Sequence, residues 1–148
     1  MKDKTCFFIG NRHAPNSIKS KLFEVTEKHI TEYGVTTFFA GHYGNFDRLV
    51  TSVLRELKKN YLNINLYMLA PYALTIKAEA PTDFIGTFYP DGLETVPKPF
   101  AIIQANRFMI KKCDYLISYC PFSYGNTQKF VKYAKNREKQ GLIKVTLL

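Results

Sequence analysis

Apolar residues follow two different patterns along the chain, short continuous runs and a helical period, which together predict five strands and four helices. Five short runs are almost continuously apolar, which is typical of parallel strands covered on both faces. They lie at residues 5–9, 35–40, 63–71, 114–119 and 142–148. Between them, apolar residues recur every three or four positions, as on the buried side of a helix. The predicted helices cover about 18–33, a stretch that ends near 61, 98–113, and a stretch around 130–134.

This alternation of strands and helices predicts an α/β fold with right-handed crossovers. A chain of 148 residues is long enough for one well-packed core and too short for two. We therefore predict a single domain over residues 1–148, a Rossmann-like three-layer sandwich whose five-stranded, mostly parallel sheet has helices on both faces. A strand order of 3-2-1-4-5 would place the reversal of strand order, where such sheets bind ligands, between the first and fourth strands. The first helix is expected to be capped by Asn16 or Ser17 and to end before Gly34.

The segment at about 71–97 interrupts the regular pattern. It contains four prolines and two glycines and has only a weak helical period. A long segment of this kind within a compact domain is often a functional lid. Its aromatic residues Phe84, Phe88 and Tyr89 favour an ordered lid, which we expect to lie over the carboxyl edge of the sheet.

Glycines follow three of the predicted strands. Gly41 and Gly44 lie between the second strand and the helix after it, where a backbone without side chains can approach a phosphate and the helix start offers free N–H groups. Taken alone, these glycines can also be explained by a simple turn of the chain. The loops at Gly10 and Gly125 would reach the same crevice, and their convergence favours an anion site.

Polar residues in these loops suggest chemistry but leave alternatives open. Arg12 could bind a phosphate or lie free on the surface. His13 and His42 could act as acid, base or ligand donor, or have no such role. Asp47 could cap its helix or contact a ribose hydroxyl.

Charge and cysteine content limit the functions and cellular locations that are compatible with the sequence. The net charge is +9, with much of the excess after residue 128, which indicates either a nucleic-acid footprint or the solvated face of the last helix. Three cysteines without a C-x-x-C spacing argue against disulfides and zinc and favour a cytoplasmic location. No apolar run is long enough to span a bilayer or serve as a signal peptide. We expect no metal, no cofactor and no membrane partner.

Four short motifs resemble those of the SLOG superfamily, specifically its small YpsA-like domains of unknown function. Residues 6–12 (CFFIGNR) resemble a C-x-F-x-G-H-R opening, and 41–47 (GHYGNFD) match a G-x-x-G-x-F-D loop. Residues 89–94 (YPDGLE) match a Tyr-Pro-acid-x-x-Glu stretch, and 106–109 (NRFM) match an N-R-x-M helix. The motifs keep their order over nearly the whole chain.

The resemblance implies a modified Rossmann fold that binds a nucleotide or a nucleotide-derived ligand. Relatives within the superfamily include the Lonely Guy phosphoribohydrolases and the DprA proteins, which handle single-stranded DNA. The P-G-G-x-G-T-x-x-E signature of the Lonely Guy enzymes is absent, the usual second glycine of the last loop is Asn126, and Asn11 replaces a common histidine. The hydrolase activity is therefore not carried over.

Our first hypothesis from the sequence is a sensor or regulatory module that binds a nucleotide-derived small molecule, with Tyr89 and Glu94 closing from the lid. The predicted ligand-binding residues are Gly10, Asn11, Arg12, Gly41, His42, Gly44, Asn45, Asp47, Tyr89, Glu94, Arg107, Gly125, Asn126 and Thr127. One alternative is a nucleotide N-glycosidase in which Glu94 supplies the carboxylate. Another is single-stranded nucleic-acid binding through the basic last helix. The sequence leaves open whether the protein is an enzyme and whether it forms a homo-oligomer.

Overall fold

The computed structural model describes residues 3–70, 83–90 and 92–148 of the chain. Its strands are β1 (Lys4–Gly10), β2 (Val35–Ala40), β3 (Asn65–Leu69), β4 (Gly86–Phe88), β5 (Tyr115–Tyr119) and β6 (Lys144–Leu147). Its helices are α1 (Lys19–Thr31), α2 (Gly44–Asn60), α3 (Lys98–Lys112) and α4 (Asn126–Lys139), and one turn of 3-10 helix, Asn16–Ile18, precedes α1.

The six strands form one sheet in the order β4-β3-β2-β1-β5-β6, and every neighbouring pair is parallel. From β1 the chain runs outward through β2 and β3 to β4, and then crosses to β5 on the other side of β1. The reversal of strand order therefore lies between β1 and β5. The predicted α/β sandwich is confirmed, and its five predicted strands have the order 3-2-1-4-5 under which the reversal was expected at this place.

A sixth strand corrects the predicted count of five. Gly86–Phe88 pairs in parallel with β3, with Phe88 opposite Leu69, and the Phe88 ring packs 5.3 Å from that of Phe39. Three residues that begin with glycine are too few to show the period of a strand. Part of the segment expected to be a lid is thus the edge of the sheet. Residues 71–82 and 91 of that segment lie outside the described residues.

Alternate side chains of β1 pack into two separate cores. Cys6 and Phe8 contact the helical layer of α1 and α2, whereas Phe7 and Ile9 contact that of α3 and α4. This alternation follows from the period of two in a strand, and it explains why β1 is apolar at consecutive positions. No helix in the described ranges is both long and apolar enough to cross a membrane.

The start of α1 differs from the expected cap. The 3-10 turn Asn16–Ile18 leads into the helix, and no side chain caps either element. The Asn16 side chain instead accepts a hydrogen bond from Asn45 Nδ2 at 2.8 Å. Asn16 is therefore used to join the loop after β1 to the start of α2.

Candidate functional site

A cavity of about 460 Å³ lies at the carboxyl ends of the central strands, where the strand order reverses. The loops after β1 and β2, the inner side of α3 and the first turn of α4 form its walls. Its lining residues are Phe7, Phe8, Ile9, Gly10, Asn11, Arg12, His13, Gly41, Tyr43, Asp47, Leu69, Ile102, Ile103, Asn106, Asn126, Thr127 and Phe130. Seven of the predicted ligand-binding residues are among them: Gly10, Asn11, Arg12, Gly41, Asp47, Asn126 and Thr127.

Gly44 and Asn45 hold the first loop against the start of α2. Asn45 N donates a hydrogen bond to Arg12 O at 2.8 Å, and Asn45 Nδ2 donates to Ala14 O at 2.6 Å. Gly44 has φ +86°, and a Cβ there would lie 2.6 Å from the Cα of Arg12. Both residues therefore support the cavity wall from behind and are not part of it.

Gly10 has a packing role as well as a place in the wall. A Cβ at this position would overlap the ring of Phe46, which is fully buried in the first turn of α2. The close approach of β1 to α2 thus depends on a residue without a side chain. This contact fixes the distance between two of the cavity's walls.

Asp47 brings a carboxylate to the cavity while it binds the backbone of the residue that precedes α2. Its Oδ2 accepts a hydrogen bond from Tyr43 N at 2.9 Å, and Oδ1 has no hydrogen-bond partner among the described residues. No cation of those residues is ion-paired with Asp47. Burial raises the pKa of Asp47 to about 7, although the N–H of Tyr43 opposes this shift. Near neutral pH this side chain can therefore exchange a proton and both donate and accept hydrogen bonds.

The start of α4 presents a different electrostatic environment. Gly125 precedes the helix with φ +97°, no side chain caps the helix, and Asn126 and Thr127 line the cavity. The first N–H groups of a helix have no carbonyl partner within it and carry the positive end of its dipole. At the start of α2, by contrast, two N–H groups already have partners. Asn45 N donates to the carbonyl of Arg12, and Tyr43 N donates to the carboxylate of Asp47. An anion in this cavity is therefore favoured at α4 and disfavoured at α2.

Five other predicted residues lie outside the wall. The His42 ring stacks on that of Tyr43 at 4.3 Å, and burial lowers its pKa although a hydrogen bond with the Leu69 backbone opposes this. Tyr89 packs against the core beneath α3 and α4, and Glu94 is exposed in the loop before α3. The Arg107 guanidinium lies over the ring of Tyr133, 5.9 Å from its centre. Gly125 also lies outside the lining set, although its conformation starts α4.

A scan against models of known protein families found no match to this chain, and a search of curated proteins found no similar sequence. The resemblance to SLOG domains therefore depends on the four motifs alone.

Several lining residues were not among those predicted from sequence. Ile102, Ile103 and Asn106 line the cavity from α3, and their spacing of one to four residues puts them on one side of that helix. Asn106 lies in the N-R-x-M motif, and this motif was the one signal in the sequence that pointed to a lining residue on α3. In the described ranges, no group of three or more His, Cys, Asp or Glu side chains is arranged to hold a metal ion.

Proposed function

We propose that the protein binds a nucleotide or a nucleotide-derived small molecule in this cavity and acts as a sensor or regulatory module. The observation that supports this most strongly is the meeting of two strand-end loops and the start of α4 around one cavity of about 460 Å³. Small-molecule sites commonly have volumes of about 300–1,000 Å³ and lie at such reversals of strand order.

The phosphate of the ligand would bind at the start of α4. There the N–H groups of Asn126 and Thr127 have no side-chain cap, and Arg12 belongs to the same cavity wall. A guanidinium can bind a phosphate through two parallel hydrogen bonds. The carboxylate of Asp47 would repel a phosphate at α2, so the two helix starts give the ligand one orientation.

The uncharged part of the ligand would extend from the phosphate towards Asp47. Ile102, Ile103 and Phe130 provide apolar walls for a base or another flat group. Asp47 Oδ1 would accept a hydrogen bond from a sugar hydroxyl or an amino group of the ligand. The N-glycosidase alternative depends on Glu94, which lies outside the cavity wall, and no observation favours it.

The test is a thermal-shift screen of the purified protein against mono-, di- and cyclic nucleotides, followed by calorimetric titration of any hit. A ligand at about 100 times its Kd should raise the Tm by about 5–10 °C. Arg12→Gln should weaken binding at least tenfold because it removes a charged phosphate contact. Arg48→Gln is the matched control, since Arg48 is an exposed arginine of α2 outside the cavity wall.

Either of two results would contradict the proposal. One is that no nucleotide in the panel changes the Tm. The other is that Arg12→Gln and Arg48→Gln bind a hit equally well, because binding would then not involve the cavity wall.

A further inference from the structure

The excess positive charge of the protein is concentrated on one of its two helical layers. Helix α3 carries four lysines and arginines and α4 carries five, against a single carboxylate, Glu138. Helices α1 and α2 on the other face carry three and four cations with two carboxylates each. Most of the net charge of +9 is therefore on the layer of α3 and α4.

Ion pairs do not neutralise this layer. The ion pairs of the described residues are Lys19–Glu56, Lys28–Glu32 and Arg55–Asp83, at 3.1, 3.8 and 2.9 Å. Each of them involves α1 or α2. Glu138 accepts a hydrogen bond from Val145 N at 2.7 Å, so its carboxylate is directed towards β6. Leaving Lys98 aside, the cations of α3 and α4 have no carboxylate partner within the described ranges.

Eight exposed charged and aromatic residues of α3 and α4 form two stripes. They are Phe100, Arg107, Phe108 and Lys111 on α3 and Lys129, Lys132, Lys135 and Lys139 on α4, and we call them the basic face. The lysines of α4 are three or four residues apart, and Phe100, Arg107 and Lys111 of α3 are seven and four apart, so each set lies on one side of its helix. Phe108 follows Arg107 directly and lies beside the α3 stripe. Arg107 contacts the Tyr133 ring of α4, so the stripes lie next to each other. The lysines of α4 extend over about 15 Å of helix.

We propose that the basic face binds single-stranded nucleic acid. The lysines and arginines provide the charge that follows a phosphate backbone. Phe100 and Phe108 are 60% and 36% exposed and alternate with the cations of α3. Exposed aromatic rings beside cations can stack unpaired bases, whereas the bases of a duplex are already stacked. The proposal is independent of the ligand in the cavity.

The packing of the two helices favours a nucleic acid over a membrane surface. A helix that binds to a membrane inserts its apolar side between lipids. The apolar sides of α3 and α4, which include Met109, Ile110, Phe130 and Ala134, are buried in the core against the sheet. The exposed side of α4 carries lysines and no apolar residue, so within the basic face only Phe100 and Phe108 of α3 are available for insertion.

The test is fluorescence anisotropy with a labelled 20-nucleotide single strand, a duplex of the same sequence and unlabelled phosphatidylserine vesicles as competitor. The single strand should bind more tightly than the duplex, and its affinity should fall as salt is raised. The variant Lys129→Gln/Lys132→Gln/Lys135→Gln should bind at least about tenfold more weakly. Its plot of log affinity against log salt should be shallower by about 2, because about 0.7 is lost for each phosphate contact on a single strand.

The matched control is Lys21→Gln/Arg48→Gln/Lys59→Gln, which removes three exposed cations from α1 and α2 and should bind as the unmodified protein does. Phe100→Ala/Phe108→Ala should weaken single-strand binding without changing the salt slope. No binding of the single strand at low salt would overturn the proposal, as would equal losses in the test and control triple variants. If the duplex bound more tightly than the single strand, the proposed preference for single strands would be overturned. If the vesicles displaced the single strand and the duplex did not, the basic face would be assigned to a membrane instead.

Discussion

The carboxylate of Asp47 lies directly against the α-carbon of Gly41, so that a Cβ at position 41 would be 2.6 Å from Asp47 Oδ2. This contact lets one side chain accept the hydrogen bond of Tyr43 N, just before α2, and still face the cavity. A side chain at position 41 would displace the end of the Asp47 side chain rather than the backbone. Gly41 is therefore needed for the position of the carboxylate more than for the fold.

Removing the charge of Asp47 should change the pH dependence of stability. Because the pKa of Asp47 is raised from 3.8 to about 7 on folding, the folded state binds more protons than the unfolded state between these values. Its contribution to stability is complete below pH 3.8 and is lost as the pH rises through about 7. The stability of Asp47→Asn relative to the unmodified protein should therefore increase by about 2.5 kcal/mol between pH 5 and pH 8, as measured by urea unfolding at both values.

Glu24→Gln is the control for this measurement, since Glu24 is an exposed carboxylate on α1. Its difference from the unmodified protein should be the same at both pH values. If Asp47→Asn also gave a constant difference, the carboxyl group would not be protonated on folding.

His29 should make the protein sensitive to mild acid. Its ring is buried, and its Nδ1–H donates to Val25 O at 2.7 Å. Burial lowers its pKa, the Val25 hydrogen bond opposes this, and Lys144 and Lys28 lower it further. The unfolded state therefore binds the proton more readily, so stability is complete above pH 6.5 and is lost as the pH falls below that value.

His29→Phe tests this sensitivity, because it keeps a ring between Tyr33 and Tyr115, which contact His29 edge to face. Between pH 7.5 and pH 5 it should lose less stability than the unmodified protein. His13→Gln, at an exposed histidine, should leave the pH profile unchanged. Equal acid sensitivity in His29→Phe and the unmodified protein would show that His29 is not its source.

Two glycines with similar backbone angles should differ in their tolerance of alanine. Gly44 and Gly34 have φ +86° and +71°, but only Gly44 has the Arg12 backbone where a Cβ would lie. Gly34→Ala should cost about 1 kcal/mol from the left-handed conformation alone. Gly44→Ala should cost about 3 kcal/mol or more, because backbone must also move. Equal losses in the free energy of unfolding would mean that the loop before α2 is not in close contact with the loop after β1.

Only one of the three cysteines should react with a thiol reagent in the folded protein. Burial raises the pKa of Cys113 to about 12 and that of Cys6 well above its usual value, and both thiols are buried whereas Cys120 is partly exposed. The thiolate is the reactive form. At pH 8, mass spectrometry after iodoacetamide treatment should show one modification in native protein, none in native Cys120→Ser, and three in urea-unfolded protein. Rapid native labelling of Cys6 or Cys113 would contradict this description of the core.

Local patterns in the sequence determined the architecture of this protein. Nearly continuous apolar runs identified the five longer strands, and an apolar period of three to four residues identified the four helices of the described residues, because these patterns reflect which sides of each element are buried. The alternation of elements then indicated the parallel sheet and the edge at which its loops meet. Strand β4 was missed because three residues, the first of them glycine, show no period.

The tertiary structure decided what each loop residue does. Gly44 and Asn45 belong to the same loop motif as Asp47, yet they join two loops while Asp47 faces the cavity. Glu94 lies outside the cavity wall, although its motif had suggested a role in the site. Burial, pKa and shared surfaces depend on residues that are distant in sequence. For the same reason, only the structure showed that the cations of α3 and α4 form one face.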